Sequence, residues 1–286
     1  MKILGTGLSG LVGSRIVDLL NQTFEFENIS RSTGVDITNK QQVESLILSS
    51  DAEVVLHLAA KTDVDACEED KKYETDGEAW KINVLGTDNI AQAAFKTNKK
   101  LIYISTDFVF DGEKEFYVED DTPNPINWYA RTKAEGENIV KMGENPWIIL
   151  RIAYPYRQAF VRKDFFRVML GRLQNNMPLA AVTDHIFCPT FIDDIAATIS
   201  SLILQNQTGI FHCVGSEALS PYDAAIKITE IFNLDKKLIT KTTRDKYFAG
   251  KAPRPFRLLL KNDKIEQLNI ATKGFSEILT AIKNQP

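Results

Sequence analysis

Three glycines near the start, Gly7-x-x-Gly10-x-x-Gly13, constrain this chain more than any other feature. They follow a short apolar run, Lys2 to Thr6, and lead into Leu11, Val12, Ile16, Leu19 and Leu20, which are spaced as one face of a helix. A strand, a glycine-rich turn and a helix, in that order, form the layout that holds a dinucleotide pyrophosphate. Gly7 allows the tight turn, Gly10 removes the side chain that would block the phosphates, and Gly13 lets the helix pack closely. The helix N-terminus then offers free N–H groups and the positive end of its dipole to the anion.

Apolar runs alternate with helical patterns through the first half. Strands are expected at 2–6, 24–29, 53–58, 101–105 and 147–152, with helices near 10–21, 39–50, 75–98 and 127–142. That alternation predicts an α/β fold, a doubly wound parallel sheet of Rossmann type with helices on both faces. Ligands of such sheets sit beyond the carboxyl ends of the strands, so the loops there should carry the chemistry. The second half is less regular: helices near 160–174, 190–205, 221–234 and 273–283, and a strand at 209–214. The division expected is a dinucleotide-binding domain over 1–156, rejoined by 188–214. A smaller α/β substrate domain would comprise 157–187 and 215–286.

Charge and cysteine content exclude several classes. Thirty-four basic residues against 38 acidic ones leave a net charge of −4, with no long basic run to meet nucleic acid or an anionic membrane. No apolar stretch reaches membrane-spanning length, and strand residues from Lys2 onward leave no room for a leader. Cys67, Cys188 and Cys213 are few, distant and odd in number, which points to a reducing, cytoplasmic setting. With His57, His185 and His212 they show no zinc-ligand spacing, so no metal is expected.

Two segments carry the chemistry. Ser105-Thr106-Asp107-Phe108 follows the fourth strand, and Tyr129-Ala-Arg-Thr-Lys133 lies on the next helix. Residues four apart share a helix face, so Tyr129 and Lys133 can act on one bound group. A free phenol, with a pKa of about 10, is a poor proton donor at neutral pH, and a nearby ammonium is expected to lower it. Thr106 adds a hydroxyl for a carbonyl or alkoxide oxygen. A second copy of the spacing, Tyr247-x-x-x-Lys251, contains Gly250 and runs toward Pro253, so it reads as coincidence. Strand two leads into Ser30-Arg31-Ser32 without an acid at its end. Arg31 and Ser30 could therefore take the 2′-phosphate of NADPH, where an acid would select NADH.

Taken together, Gly7-x-x-Gly10-x-x-Gly13, Tyr129-x-x-x-Lys133 and the hydroxyl after strand four resemble the extended short-chain dehydrogenase/reductases. Several further segments look like those of the dTDP-4-dehydrorhamnose reductases. They are Ser-Thr-Asp-Phe-Val-Phe-Asp-Gly at 105–112, Leu58-Ala-Ala-Lys-Thr-Asp-Val-Asp-Ala-Cys-Glu68, Leu150-Arg-Ile-Ala-Tyr-Pro-Tyr156 and the Arg-Pro segment at 252–255. This resemblance implies reduction of the C4 keto group of a nucleotide-linked 4-keto-6-deoxysugar by NADPH, with NADH as a weaker alternative. It implies Thr106, Tyr129 and Lys133 as catalytic residues. Gly7, Gly10, Leu11 and Val12 would border the pyrophosphate, Asp36 and Ile37 the adenine, and Ala59, Ala60 and Lys61 the loop after strand three. Asp36 also reads as an ordinary turn aspartate. Asp107, Phe108, Tyr154 and Arg254 are expected to face the substrate, with Arg254 a candidate for its diphosphate or else a solvated surface arginine.

Three positions depart from the family pattern: Leu11 stands for a usual glutamine, Tyr154-Pro155 for Trp-Val, and Leu258 for a serine. Phe108 stands where related dehydratases carry a glutamate, which argues against elimination chemistry. An epimerase of the same superfamily remains a rival reading. So does a non-catalytic cofactor-binding subunit like the methionine adenosyltransferase beta subunit. A homodimer is left open.

Overall fold

A computed structural model describes residues 1–284. Six strands form one parallel sheet: β1 (Lys2–Thr6), β2 (Glu25–Asn28), β3 (Val54–His57), β4 (Lys100–Thr106), β5 (Trp147–Ile152) and, much later in the chain, Gly209–Cys213. Their order is β2-β1-β3-β4-β5 followed by that last strand, each pair parallel. The order reverses between β1 and β3, which opens a crevice at their carboxyl ends.

Successive strand residues point to opposite faces, so each strand feeds two cores. Ile3, Leu56, Ile102 and Leu150 join Ile16 and Ile199 on one face. Leu4, Val55, Tyr103 and Ile149 join Val43 and Ile90 on the other. Each fully buried aliphatic side chain contributes roughly 1.5–3 kcal/mol by leaving water.

The helices of the first half are α1 (Leu11–Leu20), α2 (Lys40–Ser49), α3 (Val64–Asp70), α4 (Glu78–Trp80), α5 (Gly86–Lys96) and α6 (Trp128–Lys141). Helix α3 was not expected; Asp63 caps it by accepting from the Ala66 N–H. The single helix expected over 75–98 is broken. A 3₁₀ turn at Lys71–Asp76 precedes α4, and a wider π turn at Lys81–Leu85 joins α4 to α5. The π turn carries Asn83, whose buried side chain is tied to a neighbouring loop and to α6. Insertions of this kind mark places where a helix bends to serve a site.

The second half holds β6 (Pro155–Tyr156), α7 (Phe165–Gln174), β7 (Leu179–Val182), β8 (Thr190–Phe191), α8 (Ile192–Leu204) and β9, the sixth sheet strand. It continues with α9 (Pro221–Phe232), β10 (Ile239–Thr242), α10 (Arg244–Tyr247), α11 (Asp263–Gln267) and α12 (Phe275–Lys283). Helix α7 begins at 165 and not near 160, because Asp164 caps it by accepting from the Arg167 N–H. The parallel pair β7–β10 and the short pair β6–β8 were not anticipated. Phe166, Leu179, Ile228, Phe275 and Leu279 build a third core here. Residues 157–163 form a loop between β6 and α7 beside the crevice.

Candidate active site

The glycine turn has the geometry its sequence predicts. Gly7 adopts φ +70°, and a Cβ there would lie 2.8 Å from the Ala59 nitrogen. At Gly13 a Cβ would lie 2.5 Å from the Gly7 oxygen, so α1 can close onto the turn only without a side chain. A Cβ at Gly10 would meet only the Gly7 oxygen, at 3.1 Å; the remaining space there is cavity. This cradle fits a pyrophosphate against the amino end of α1.

Behind it, a chain of hydrogen bonds fixes the loop after β3. The Thr87 hydroxyl donates to the Asn83 carbonyl at 2.7 Å, so it accepts from His57 Nε2 at 3.0 Å. His57 Nδ1 is then bare and accepts from the Thr6 hydroxyl at 2.6 Å, while Thr6 accepts from the Ala59 N–H at 3.1 Å. Burial lowers His57 to about 3, which keeps this neutral tautomer. The Asn83 amide holds Lys61 twice, accepting from its N–H at 2.7 Å and donating to its carbonyl at 3.0 Å. It also donates to the Thr132 hydroxyl on α6 at 2.9 Å. Neither His57 nor Asn83 was singled out as a site residue from the sequence; their roles lie in backbone contacts that leave no spacing pattern.

Thr106 ends β4, and α6 brings Tyr129 and Lys133 beside it on one wall of a cavity of about 630 Å³. The glycine turn, Ala59 and Ala60 line the same cavity. Lys133 Nζ donates to the Ile104 carbonyl at 2.8 Å and stands 4.0 Å above the Tyr103 ring. Burial lowers the Lys133 amine to about 7, against an upward pull from Glu137. Burial also lifts the Tyr129 phenol above its ordinary value, with the Thr106 hydroxyl drawing it partly back. The downward shift expected from Lys133 is not seen: both groups are buried, and desolvation dominates each of them. Thr106 donates to Asp107 Oδ1 at 3.0 Å. Asp107 Oδ2 is buried without a partner among the described residues, and burial pushes this carboxyl up to about 7.

Tyr129, Lys133 and Glu137 follow one another at four-residue steps on α6. Glu137 accepts two hydrogen bonds from Arg151 on β5, at 2.9 and 2.7 Å, and one from Ser105 at 2.7 Å. The side chains of this ion pair are 0% exposed. It anchors the face of α6 that carries Tyr129 and Lys133 to the two strands beneath.

Phe108, Tyr154 and Arg254 line the same cavity, with the Phe108 ring packed edge-on against both Tyr129 and Tyr154. Arg254 is not a solvated surface arginine: its side chain is 9% exposed, donates to Asp65 Oδ1 at 2.8 Å and to the Ala252 carbonyl at 2.7 Å, and lies over the Phe248 ring. Thr62, Arg162, Lys163 and Phe248 also line the cavity and were missed from the sequence. The second Tyr-x-x-x-Lys copy is off any continuous helix, since α10 ends at Tyr247 and Gly250 has φ +74°.

Ser30, Arg31, Asp36, Ile37 and Lys61 lie outside the cavity lining. The Ser30 and Ser32 hydroxyls are 2.8 Å apart, and Ser32 donates to Ser9 in the glycine turn at 3.2 Å. Arg31 is exposed, 3.9 Å from Glu78, which also takes the Lys61 amine at 2.6 Å. Asp36 accepts from both the N–H and the hydroxyl of Thr38 at 2.9 Å, the contacts of a turn aspartate. Ile37 is buried, and its carbonyl accepts from Asn89 at 3.0 Å.

Known proteins resemble this chain over most of its length. The dTDP-4-dehydrorhamnose reductase of Aggregatibacter actinomycetemcomitans is 34% identical over 235 residues, covering 79% of this chain and 78% of its own. The methionine adenosyltransferase 2 subunit beta of Xenopus tropicalis is 29% identical over 252 residues, covering 84% and 72%. The crystal structure of dTDP-4-dehydrorhamnose reductase from Bacillus anthracis, in complex with NADP, matches with a TM-score of 0.90 at 27% identity, over 99% of this chain and 98% of its own. The RmlD substrate binding domain family matches residues 1–285, and the chain belongs to that family.

Proposed function

We propose that this chain is an oxidoreductase that uses NADPH to reduce the C4 keto group of a nucleotide-linked 4-keto-6-deoxysugar. The observation that carries this reading is the convergence of Thr106, Tyr129 and Lys133 on one cavity that the glycine cradle also lines. The reductase relatives, one with NADP bound, support the same choice.

When bound, the nicotinamide supplies the hydride. Thr106 holds the carbonyl oxygen by its hydroxyl. Tyr129 gives its phenolic proton to that oxygen as negative charge develops there. Burial raises this phenol above its ordinary value, so it is fully protonated at neutral pH and releases its proton only to the strongly basic alkoxide oxygen. Lys133, held between the Ile104 carbonyl and the Tyr103 ring, stands ready to stabilise the resulting phenolate. Phe108 beside Thr106 cannot move a proton, which fits reduction without elimination. Arg254 would meet the substrate's diphosphate through its guanidinium, whose two terminal nitrogens donate to the Ala252 carbonyl and to Asp65. The free, buried cysteines fit a reducing compartment, the cytoplasm. The strand order supports the return of 209–213 to the cofactor lobe, while Ile265 and Ile270, in the segment assigned to the substrate lobe, pack in the core of the main sheet.

The test is loss of NADPH absorbance with a panel of nucleotide-linked 4-keto sugars. A reductase consumes NADPH in proportion to substrate, an epimerase does not, and a regulatory subunit binds the cofactor without turnover. Tyr129→Phe should lower turnover by about two orders of magnitude or more while sparing cofactor affinity. Wild-type-like turnover in that variant would remove the assignment.

A further inference from the structure

Tyr154 is the one aromatic residue in the cavity wall with a left-handed backbone, at φ +41°. A bulky residue keeps such a conformation only where its surroundings hold it. Its phenol lies 2.8 Å from His185 Nε2, and His185 Nδ1 lies 2.8 Å from the Pro255 carbonyl. A carbonyl can only accept, so Nδ1 carries the proton. Nε2 is then bare and accepts from the Tyr154 hydroxyl. The imidazole stacks on Phe187 at 12° between planes, and the Tyr154 ring packs on Phe187 with centroids 4.3 Å apart. His185 is 1% exposed, and burial lowers it to about 4, so the neutral form persists.

The Pro255 end of this relay is the segment that presents Arg254. Arg244 donates to the Arg254 carbonyl at 3.1 Å, His185 to the next carbonyl, and the Ile186 N–H to that of Phe256 at 2.9 Å. Three successive carbonyls are thus tied down by residues around 185 and 244. Two walls of one cavity, the Tyr154 ring and the Arg254 guanidinium, come from segments a hundred residues apart and meet through a single imidazole. The phenolic proton is committed to His185, so the cavity faces the Tyr154 ring and not a free donor.

We infer that His185 is a positioning residue that sets the spacing between the aromatic and cationic walls of the sugar-nucleotide pocket, through Tyr154 on one side and the Pro255 carbonyl on the other. This rests on the reductase reading for its ligand. His185 touches no reacting atom, so its loss should act on substrate binding and leave the chemistry and the cofactor site alone.

The experiment is a mutant cycle on the full chain with the sugar nucleotide that the panel identifies. His185→Ala should raise substrate KM about tenfold, with kcat changed less than KM and NADPH affinity unchanged. His185→Gln should restore KM, because its amide can donate to Pro255 and accept from Tyr154. Tyr154→Phe keeps the ring and cuts the tie; adding His185→Ala to it should raise KM by less than the sum of the two effects. Unchanged KM in His185→Ala, no rescue by glutamine, or full additivity would overturn the inference. Should His185→Ala not fold, the Tyr154→Phe and His185→Gln variants carry the same comparison. Nitrogen NMR of the imidazole gives a readout without turnover. It should show a protonated Nδ1 and a bare Nε2 that shifts in Tyr154→Phe; the opposite tautomer overturns the relay. A chain that shows the relay but reduces no sugar would remove only the reductase reading.

Discussion

Replacing Glu137 by glutamine takes one charge from an ion pair that has no water to share. Arg151 and Glu137 have side chains with 0% exposure and are joined by two parallel hydrogen bonds, at 2.9 and 2.7 Å. In Glu137→Gln the amide oxygen can still accept from Ser105 and from Arg151 Nε. The amide nitrogen, however, faces Arg151 Nη2, donor against donor. The guanidinium stays buried with an unpaired charge, and removing one partner of such a pair costs about 3–5 kcal/mol. For a chain of this size the loss corresponds to a fall in Tm of roughly 6–20 °C. Urea unfolding should show a lower midpoint with an unchanged slope. High salt should not close the gap, since ions cannot screen a pair they do not reach. Joint replacement by Glu137→Leu and Arg151→Met should recover much of the loss. Burial pushes the Glu137 carboxyl up, but the Arg151 hydrogen bonds and charge outweigh it and leave the group below its ordinary value. The pair's stabilisation is therefore complete above the unfolded carboxyl's pKa, about 4.3, and is lost as pH falls through the lower folded value. A variant with wild-type midpoint and acid limb would refute this reasoning.

Two other perturbations read the site. Arg31→Ala should weaken NADPH by about 1–2 kcal/mol and leave NADH nearly unchanged, the low end for a charge-assisted bond because the guanidinium is exposed; titrating both cofactors checks it, and equal losses would show that Arg31 does not read the phosphate. Asp107, pushed up to about 7 by burial, holds a proton in the folded chain that the unfolded chain releases above about pH 4. Stability should therefore fall as pH rises from about 4 to 7, and Asp107→Asn should flatten that part of the urea-midpoint profile; parallel profiles would place the titration elsewhere.

The first-half strands and the glycine turn were legible because their signals are local, whereas helix α3 and the break within 75–98 were not. Apolar runs such as Val54–His57 can only be buried strands, and the glycine turn joins a strand to a helix within a few residues. The second half hid its pairing. Strand Leu179–Val182 finds its parallel partner at Ile239–Thr242, some sixty residues on, with two alanines in one and a lysine in the other. The site followed the same division. Thr106, Tyr129 and Lys133 were readable from spacing and position. The groups that hold α6 and Tyr154 in place are isolated polar residues, Asn83, Glu137 and Arg151 for the helix and His185 for Tyr154, whose partners lie far away in sequence. The effect of Lys133 on Tyr129 was misjudged for a related reason: spacing shows that two groups are neighbours but not that both are dry.

Gly136, one turn beyond Lys133 on α6, shows how far the demands of one amine extend. A Cβ at this glycine would stand 2.2 Å from the Tyr103 hydroxyl oxygen, so the phenol occupies the room a methyl would need. The ring of that tyrosine is the platform beneath the Lys133 amine. The position of the lysine is thus inherited from a side chain that is absent and another that never meets the ligand. An alanine at 136 therefore needs room made at 103 first, whereas a smaller residue at 103 asks nothing of 136. The sequence freedom of the site is narrower than its list of reacting groups, and part of it is spent on the dry side of the helix.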